Sequence, residues 1–319
     1  MNGRADVPRQ SRRPRLVHRR PPITLAAMQV DYQMPSLIRR IPIEARWRLQ
    51  TSWVRRRWIA RRHRTVSPSD VLLASYPKSG NTWLRHLLTN LVTGDPTPWR
   101  GGLDRVSNLV GRHLDLPPVT GSGGRLVKTH EPYDPSYRRA IWLVRDGRDV
   151  AVSEFHFRRA YSRDFYRYRG RFDQFLDAFL AGNSCGYGNW SQHAESWLDA
   201  KESGRCEVLH VPFESFKTDT SRWLAEIAEF IDLDVSPERI SEAIEDCSID
   251  SMRKKEADYW ASQGQPNRKF IRGGKTGGWR DHFTPATEQK FWDVMGAAMT
   301  RLGYERQPLD ASGSATTSI

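Results

Sequence analysis

The residues Tyr76-Pro77-Lys78-Ser79-Gly80-Asn81-Thr82-Trp83 stand between an apolar run, Val71 to Ala74, and a helix-like run, Trp83 to Val92. A strand, a tight loop holding Lys and Gly, and then a helix together make an anion cradle. The first N–H groups of a helix have no partner in the chain, and the helix dipole favours negative charge there. Gly80 lets the backbone approach an oxyanion closely and Lys78 adds a full positive charge. The order of residues is not that of a Walker A loop, G-x-x-x-x-G-K-[ST], because the Lys precedes the Gly by two positions. Three further segments carry groups suited to anions or protons. Leu126 to Tyr133 ends a strand at Lys128-Thr129-His130. Ile141 to Phe157 ends a strand at Arg145 and opens a helix that carries Ser153. Phe270 to Thr284 holds four Gly within six residues, between Arg272 and Trp279, a flexible basic loop able to close over a phosphate.

The elements that must position these groups alternate along the chain. Strands are expected over Val71–Tyr76, Arg125–Thr129, Ala140–Arg145 and Glu207–Pro212. Helices are expected over Thr82–Val92, Asp149–Tyr161, Phe172–Leu180, Trp190–Ser203, Ser221–Ile231, Glu238–Asp246 and Pro285–Leu302. Short apolar strands separated by helices imply an α/β fold, a three-layer domain with a central parallel sheet. In such sheets ligands bind beyond the carboxyl ends of the strands, where the candidate segments fall.

In order and spacing these segments resemble the PAPS-dependent sulfotransferases of the cytosolic type, in a bacterial-like form. PAPS is 3′-phosphoadenosine 5′-phosphosulfate. The resemblance runs from Val71 to Tyr304, about three quarters of the chain, and implies a P-loop-like sulfotransferase fold. It assigns the Tyr76–Trp83 loop to the phosphosulfate, through Lys78, Ser79, Gly80, Asn81 and Thr82, with Trp83 stacked on the adenine. It implies that His130 takes the proton from an acceptor hydroxyl or amine and that Lys128 positions the sulfuryl group. An imidazole with an ordinary pKa near 6.5 suits that task at neutral pH. Arg145 and Ser153, eight residues apart, would bind the 3′-phosphate, where a forked guanidinium and a hydroxyl suit a dianion. Arg272, Gly273 and Gly274 would join them, although Gly273 stands where the family has Lys and Gly278 where Asp is common. The stiffness of that loop is open. Near the adenine, Phe213 and Cys247 stand for the usual Tyr and Thr, and Ile249 for a stacking Phe. Trp190, His193 and Trp197 read as packing. Asp146 and Asp149 read as turn and cap residues, and Arg148 as a surface charge.

The implied reaction is in-line transfer of a sulfuryl group from PAPS, with Lys78 stabilising the departing adenosine 3′,5′-bisphosphate and no metal required. A P-loop-like kinase or nucleotide hydrolase is disfavoured by the misplaced Lys78. A non-catalytic binder of membrane or nucleic acid would act through the basic arm alone.

That arm is compositionally distinct. The chain of 319 residues has a formal charge of +13, yet residues 1–65 alone hold seventeen Arg, no Lys and three acids, a formal +14. The rest is close to neutral, so overall basicity says nothing direct about the substrate. Residues 1–65 read as an Arg-rich extension with an amphipathic helix over about 43–62, its face set by Ile43, Trp47, Val54 and Trp58. Residues 66–307 read as the catalytic domain and 308–319 as a loose tail. The helix face suits packing on the domain or on a second copy, with peripheral contact to an anionic membrane as the alternative and nucleic acid disfavoured. No apolar run is long enough for a transmembrane helix. Ser11-Arg12-Arg13 is weakly similar to a twin-Arg export signal, but the run Ile23–Val30 behind it is short. Three Cys without metal-like spacing (Cys185, Cys206, Cys247) fit a reducing, cytoplasmic compartment, with the inner face of a membrane as a variant. The acceptor is expected to be a small or lipid-linked hydroxyl or amine compound, with homo-oligomerisation open. Its pocket is expected to draw on Pro98–Pro118, Tyr161–Arg171 and Lys254–Gln265.

Overall fold

The computed structural model describes residues 53–160 and 167–306. The chain enters through helix α1 (Trp53–His63), strand β1 (Val71–Ala74), helix α2 (Asn81–Thr93), a 3-10 turn at Leu103–Arg105, and strands β2 (Ser107–Leu109), β3 (Leu126–Thr129) and β4 (Arg139–Val144). Helices α3 (Gly147–Ala160), α4 (Phe172–Leu180) and α5 (Trp190–Glu202) follow, then strand β5 (Glu207–Pro212). The rest is helical: α6 (Phe213–Thr218), α7 (Thr220–Phe230), α8 (Pro237–Asp246), α9 (Ile249–Ser262) and α10 (Pro285–Arg301), with a 3-10 turn at Gly278–Asp281.

The five strands form one sheet in the order β2-β3-β1-β4-β5, and every neighbouring pair is parallel. β1 is buried at all four positions, which a strand covered by helices on both faces requires. Its side chains alternate between the two faces. Leu72 and Ala74 join the core with Trp142, Val150, Phe175, Trp190 and Phe291. Val71 and Leu73 join the other core with Leu84, Leu88, Ile141, Phe216, Leu224 and Ile240. The three-layer α/β expectation is borne out. Trp190, His193 and Trp197 are all buried, as packing residues should be.

Three elements depart from the sequence reading. β2 lies inside Pro98–Pro118, which was expected to be acceptor loop. Its three residues are too short to show a period, and its place is fixed by pairing with Leu126–Lys128. α6 follows β5 directly, where no element was expected. α9 takes up residues 254–262 of Lys254–Gln265, a segment expected to line the acceptor pocket. Its buried stripe is Met252, Glu256 and Trp260, and a Glu in the middle of that stripe hides the apolar spacing. Glu256 accepts from the Trp260 indole at 3.2 Å, from the Ile271 backbone N–H at 2.9 Å and from that of Phe270. The helix therefore anchors the segment leading to Arg272. Tyr168, another residue assigned to the acceptor pocket, is buried in the core against Phe155 and Phe175.

The helix expected over about 43–62 is seen from Trp53 to His63. Its earlier part, and the side chains of the face Ile43, Trp47, Val54 and Trp58, lie outside what is described, as do Tyr161, Arg163, Phe165 and Tyr166 of the second acceptor segment and the tail. At its last turn His63 pairs with Asp134 at 2.9 Å and holds that carboxyl well below the usual carboxylate range. No helix among the described residues is long and apolar enough to cross a membrane.

Candidate active site

The carboxyl ends of β1, β3 and β4, three adjacent strands, bring the candidate segments to one edge of the sheet. Register sets their heights: Ala74 of β1 lies beside Thr129 of β3 and Trp142 of β4. The Lys78 loop, His130 and Arg145 thus leave the sheet side by side.

The loop after β1 turns through two left-handed residues, Lys78 (φ 72°) and Gly80 (φ 99°). Gly80 is required on two counts, because a Cβ there would also meet the Phe213 ring at 2.6 Å. The first intrahelical bonds of α2 come from Trp83 and Leu84 to the Gly80 carbonyl, so the N–H groups of Asn81 and Thr82 lie ahead of them, available to an anion. Ser79 is buried, and its hydroxyl has no partner among the described residues. The Asn81 side chain instead ties the loop to its strand, donating to the Leu73 carbonyl and to Ser75 Oγ, both at 3.2 Å. Its Oδ1 is buried and has no partner among the described residues.

His130 is set by the same loop. Its Nδ1 lies 2.7 Å from the Ser75 carbonyl, so Nδ1 carries the proton and donates, leaving the Nε2 lone pair free to accept one. Burial, then the charge of Lys128, holds the imidazole well below its ordinary pKa. Lys128, at the end of β3, is lowered to about 7 by burial and by Arg85. Lys78 is lowered to about 8, mainly by burial, against the pull of Glu154. Its ammonium stands 4.3 Å from the Phe157 ring centre and 4.1 Å from that of Phe270. Neither lysine forms an ion pair with a carboxylate among the described residues, so both charges stay available to an anion.

Arg145, Asp149 and the glycine-rich loop form a second group. Arg145 donates to the Lys78 carbonyl at 3.4 Å, to Asp149 at 3.3 Å and to the Lys275 carbonyl at 2.9 Å, and it covers the Phe213 ring. Asp149 accepts from the backbone N–H groups of Gly277 (2.8 Å) and Trp279 (3.0 Å). Lys217 donates to the Gly274 carbonyl at 2.5 Å and Arg253 to that of Arg272 at 3.2 Å. The glycine-rich loop is therefore pinned from three sides, which answers the open question of its stiffness. Asp149 is no mere cap. Its position four residues after Arg145, one helical turn, was the signal that could have shown this. Arg148 is no surface charge either: it is buried over the Trp279 ring and paired with Asp146 at 2.8 Å. Asp149→Ala should leave the Trp279 N–H buried without a partner, lowering stability by about 1–3 kcal/mol. Because the loop loses its anchor, affinity for a bound phosphate should fall about tenfold as well. Thermal unfolding and ligand titration of the variant check both.

Lys78, Ser153 and Arg272 share one cavity of about 360 Å³, with Phe157, Phe270 and His156 in its wall. His156, one turn beyond Ser153, was not foreseen; its Nε2 lies 3.3 Å from that of His282. Gly273 and Gly274 lie on the exposed face of the pinned loop. On the other side of Gly80, the Trp83 indole donates to the Cys247 carbonyl at 3.0 Å and packs on Phe213 and Phe216. Cys247 is buried, which pushes its thiol up to about 12. With its carbonyl also taken, it supports Trp83 instead of offering a contact of its own. Ile249 is exposed beside Gly274, so an aliphatic surface stands where the family has a stacking Phe.

A parallel α/β sheet whose strand ends gather an anion loop, an oriented neutral imidazole and several cations defines an enzyme that transfers an anionic group. The sulfotransferase domain model matches residues 68–303. The chain belongs to the sulfotransferase family. Sulfotransferase 1B1 of Mus musculus is 28% identical over 247 residues, 70% of this chain and 81% of that protein. Sulfotransferase 1A1 of Bos taurus is 29% identical over 250 residues, 70% of this chain and 81% of its own length. Among solved structures, mouse sulfotransferase SULT7A1 complexed with PAP superposes with a TM-score of 0.57 at 24% identity, covering 75% of this chain and 87% of that one. Retinol dehydratase in complex with androsterone and inactive cofactor PAP gives 0.59 at 22% identity, covering 73% and 81%.

Proposed function

We propose that this enzyme transfers the sulfuryl group of PAPS to the hydroxyl or amine of a small or lipid-linked acceptor and releases adenosine 3′,5′-bisphosphate. The residues fit such a donor. The Gly80 turn admits close approach to the backbone, and the buried Ser79 hydroxyl lacks a partner among the described residues. Bound PAPS supplies an activated sulfuryl group on a stable leaving group. Lys78 and the N–H groups of Asn81 and Thr82 hold its phosphosulfate, and Arg145, Ser153 and Arg272 hold its 3′-phosphate. His130 Nε2 takes the acceptor proton while Lys128 orients the sulfuryl oxygens and Lys78 balances the charge left on the bridging oxygen. Catalysis is then positioning and charge stabilisation, with no covalent intermediate on the protein. The observation that carries this reading is the His130 Nδ1 bond to the Ser75 carbonyl. It fixes the basic tautomer beside the anion loop. The buried, unbridged cysteines accord with a cytoplasmic enzyme. Incubation with 35S-labelled PAPS and a panel of phenols, alcohols and amines tests the reading: label should pass to at least one acceptor with equal release of the bisphosphate. Labelled inorganic sulfate alone would count against it.

The pH dependence follows from the same groups. His130 must be neutral to act, and its pKa is held well below 6.5, so kcat/KM should stay flat as pH falls through the ordinary histidine range and drop only beyond it. Lys128 and Lys78 must be charged, with values of about 7 and about 8 in the free enzyme. The rate should therefore decline as pH rises through that window in kcat/KM for the donor. In kcat the limb should move to higher pH, because a bound anion favours the charged lysines. A limb that stayed in place would show that the lysines do not face the donor.

A further inference from the structure

The clamp on the glycine-rich loop does not end at Asp149. Asp149 holds the Trp279 backbone N–H at 3.0 Å, and the Trp279 carbonyl accepts from the His282 N–H at 2.9 Å. His282 is thereby fixed behind the loop, its ring against Phe172 and its Nε2 3.3 Å from Nε2 of His156. His156 stands on α3 one turn beyond Ser153 and lines the same cavity as Ser153, Lys78 and Arg272. Two ring nitrogens at that separation form a hydrogen bond only if one carries a proton and the other does not. Burial, then the charge of Arg272, favours the neutral form of both rings. His156 is lowered to about 4, with His282 and Arg159 adding to the fall, and His282 is lowered against the pull of Asp281. Lys78 and Lys269 are the other cations of the cavity wall. The pair is therefore neutral in the free enzyme at neutral pH, one Nε2 donating to the other.

Resting on the donor site proposed above, we infer that His156, backed by His282, is a further ligand of the donor's 3′-phosphate, and that the pair takes up one proton when that phosphate binds. The proton comes from solvent, or from the phosphate where the monoester still carries one, and no other bond changes. A dianion beside Arg272 offsets the repulsion that keeps the rings neutral. The added proton puts N–H groups on both nitrogens of one ring, so the pair gains a charge and keeps its bridge. Arg145 and Arg272 are charged at every working pH, whereas this contact is conditional. Its contribution to donor affinity is strongest at low pH and is lost as pH rises through the pKa of the bound pair. A pair that only tied α3 to the loop would contribute equally at every pH.

The probe is adenosine 3′,5′-bisphosphate, titrated by calorimetry into the intact chain at about pH 6 in two buffers of different ionisation enthalpy, which counts the protons exchanged on binding. His156→Gln and His282→Gln are the comparisons, because glutamine keeps a donor and an acceptor but cannot take a charge. Lys78, Lys128 and the phosphate's own proton contribute alike in every chain, so the difference between chains belongs to the pair. The unmodified chain should take up at least about half a proton more per bisphosphate than either variant and bind it about tenfold more tightly. At about pH 8 both differences should shrink, as the bound pair loses its proton. Equal proton uptake overturns the inference. So does an affinity gap that persists unchanged at the higher pH, which would make the pair a structural tie. AMP, which lacks the 3′-phosphate, should produce no such difference, and the same uptake with AMP would take the pair away from that phosphate. If thermal unfolding shows a variant to be unstable, NMR of the unmodified chain labelled with 15N-histidine reads the same event. About one further imidazolium should form on adding the bisphosphate at about pH 6, and its absence overturns the inference. Failure of the unmodified chain to bind the bisphosphate is a different result: it removes the proposed donor site and this inference with it.

Discussion

His130→Ala lowers turnover by about 10²–10⁴-fold and leaves affinity for adenosine 3′,5′-bisphosphate unchanged. The size of the loss follows from what the imidazole provides. Its Nδ1 proton is fixed on the Ser75 carbonyl, so the ring cannot rotate or change tautomer without breaking that bond, and Nε2 is left as the basic atom. Alanine removes the base and also the edge-on contact with Tyr187. It leaves intact the loop N–H groups and the Arg145–Asp149 clamp that would hold the nucleotide. A separation of turnover from binding is therefore the expected signature. His130→Ala with normal turnover, or with loss of bisphosphate affinity, would mean that the residue supports the loop and does not move a proton.

Lys78→Met has the second large effect. Methionine keeps the apolar stem between Phe157 and Phe270 but deletes the charge. Removing one preorganised stabiliser of developing charge costs about 10²–10³-fold in kcat, and the loss should exceed the change in donor KM. The lysine is lowered to about 8 mainly by burial, against the pull of Glu154, and forms no ion pair among the described residues, so an arriving anion favours its charged form. A variant with unchanged kcat and raised KM would show that Lys78 binds ground state and transition state equally. Transition-state stabilisation would then have to come from Lys128 or the helix terminus.

Much of this arrangement was legible because each part is local. The run Val71–Ala74 followed by Lys78 and Gly80 announces a strand, a turn and a helix start. Arg145 and Ser153 are carried on one strand–helix junction. The parallel sheet followed from alternation of short apolar runs with helices. What escaped depends on contacts distant in sequence. β2 exists only through pairing with β3. α9 turns a Glu inward to hold Phe270 and Ile271, 14 and 15 residues later. Asp149 looks like a turn or cap residue and Arg148 like a surface charge until the loop at Gly277–Trp279 folds back on them. Arg159 and Lys269 were visible as residues, but their presence in one cavity with Lys78 and Arg272 was not. Cys247 and Ile249 show the converse: resemblance placed them near an adenine, and the structure gives the first a supporting role behind Trp83.

The most direct test of the proposed donor site is calorimetric titration of the intact protein with adenosine 3′,5′-bisphosphate, with AMP and with ATP plus Mg²⁺ as controls. A site built on Arg145, Ser153 and Arg272 predicts binding at about 1 μM or tighter that depends on the 3′-phosphate, so AMP is weaker by a wide margin. Absence of binding, indifference to the 3′-phosphate, or a preference for ATP with Mg²⁺ would contradict it.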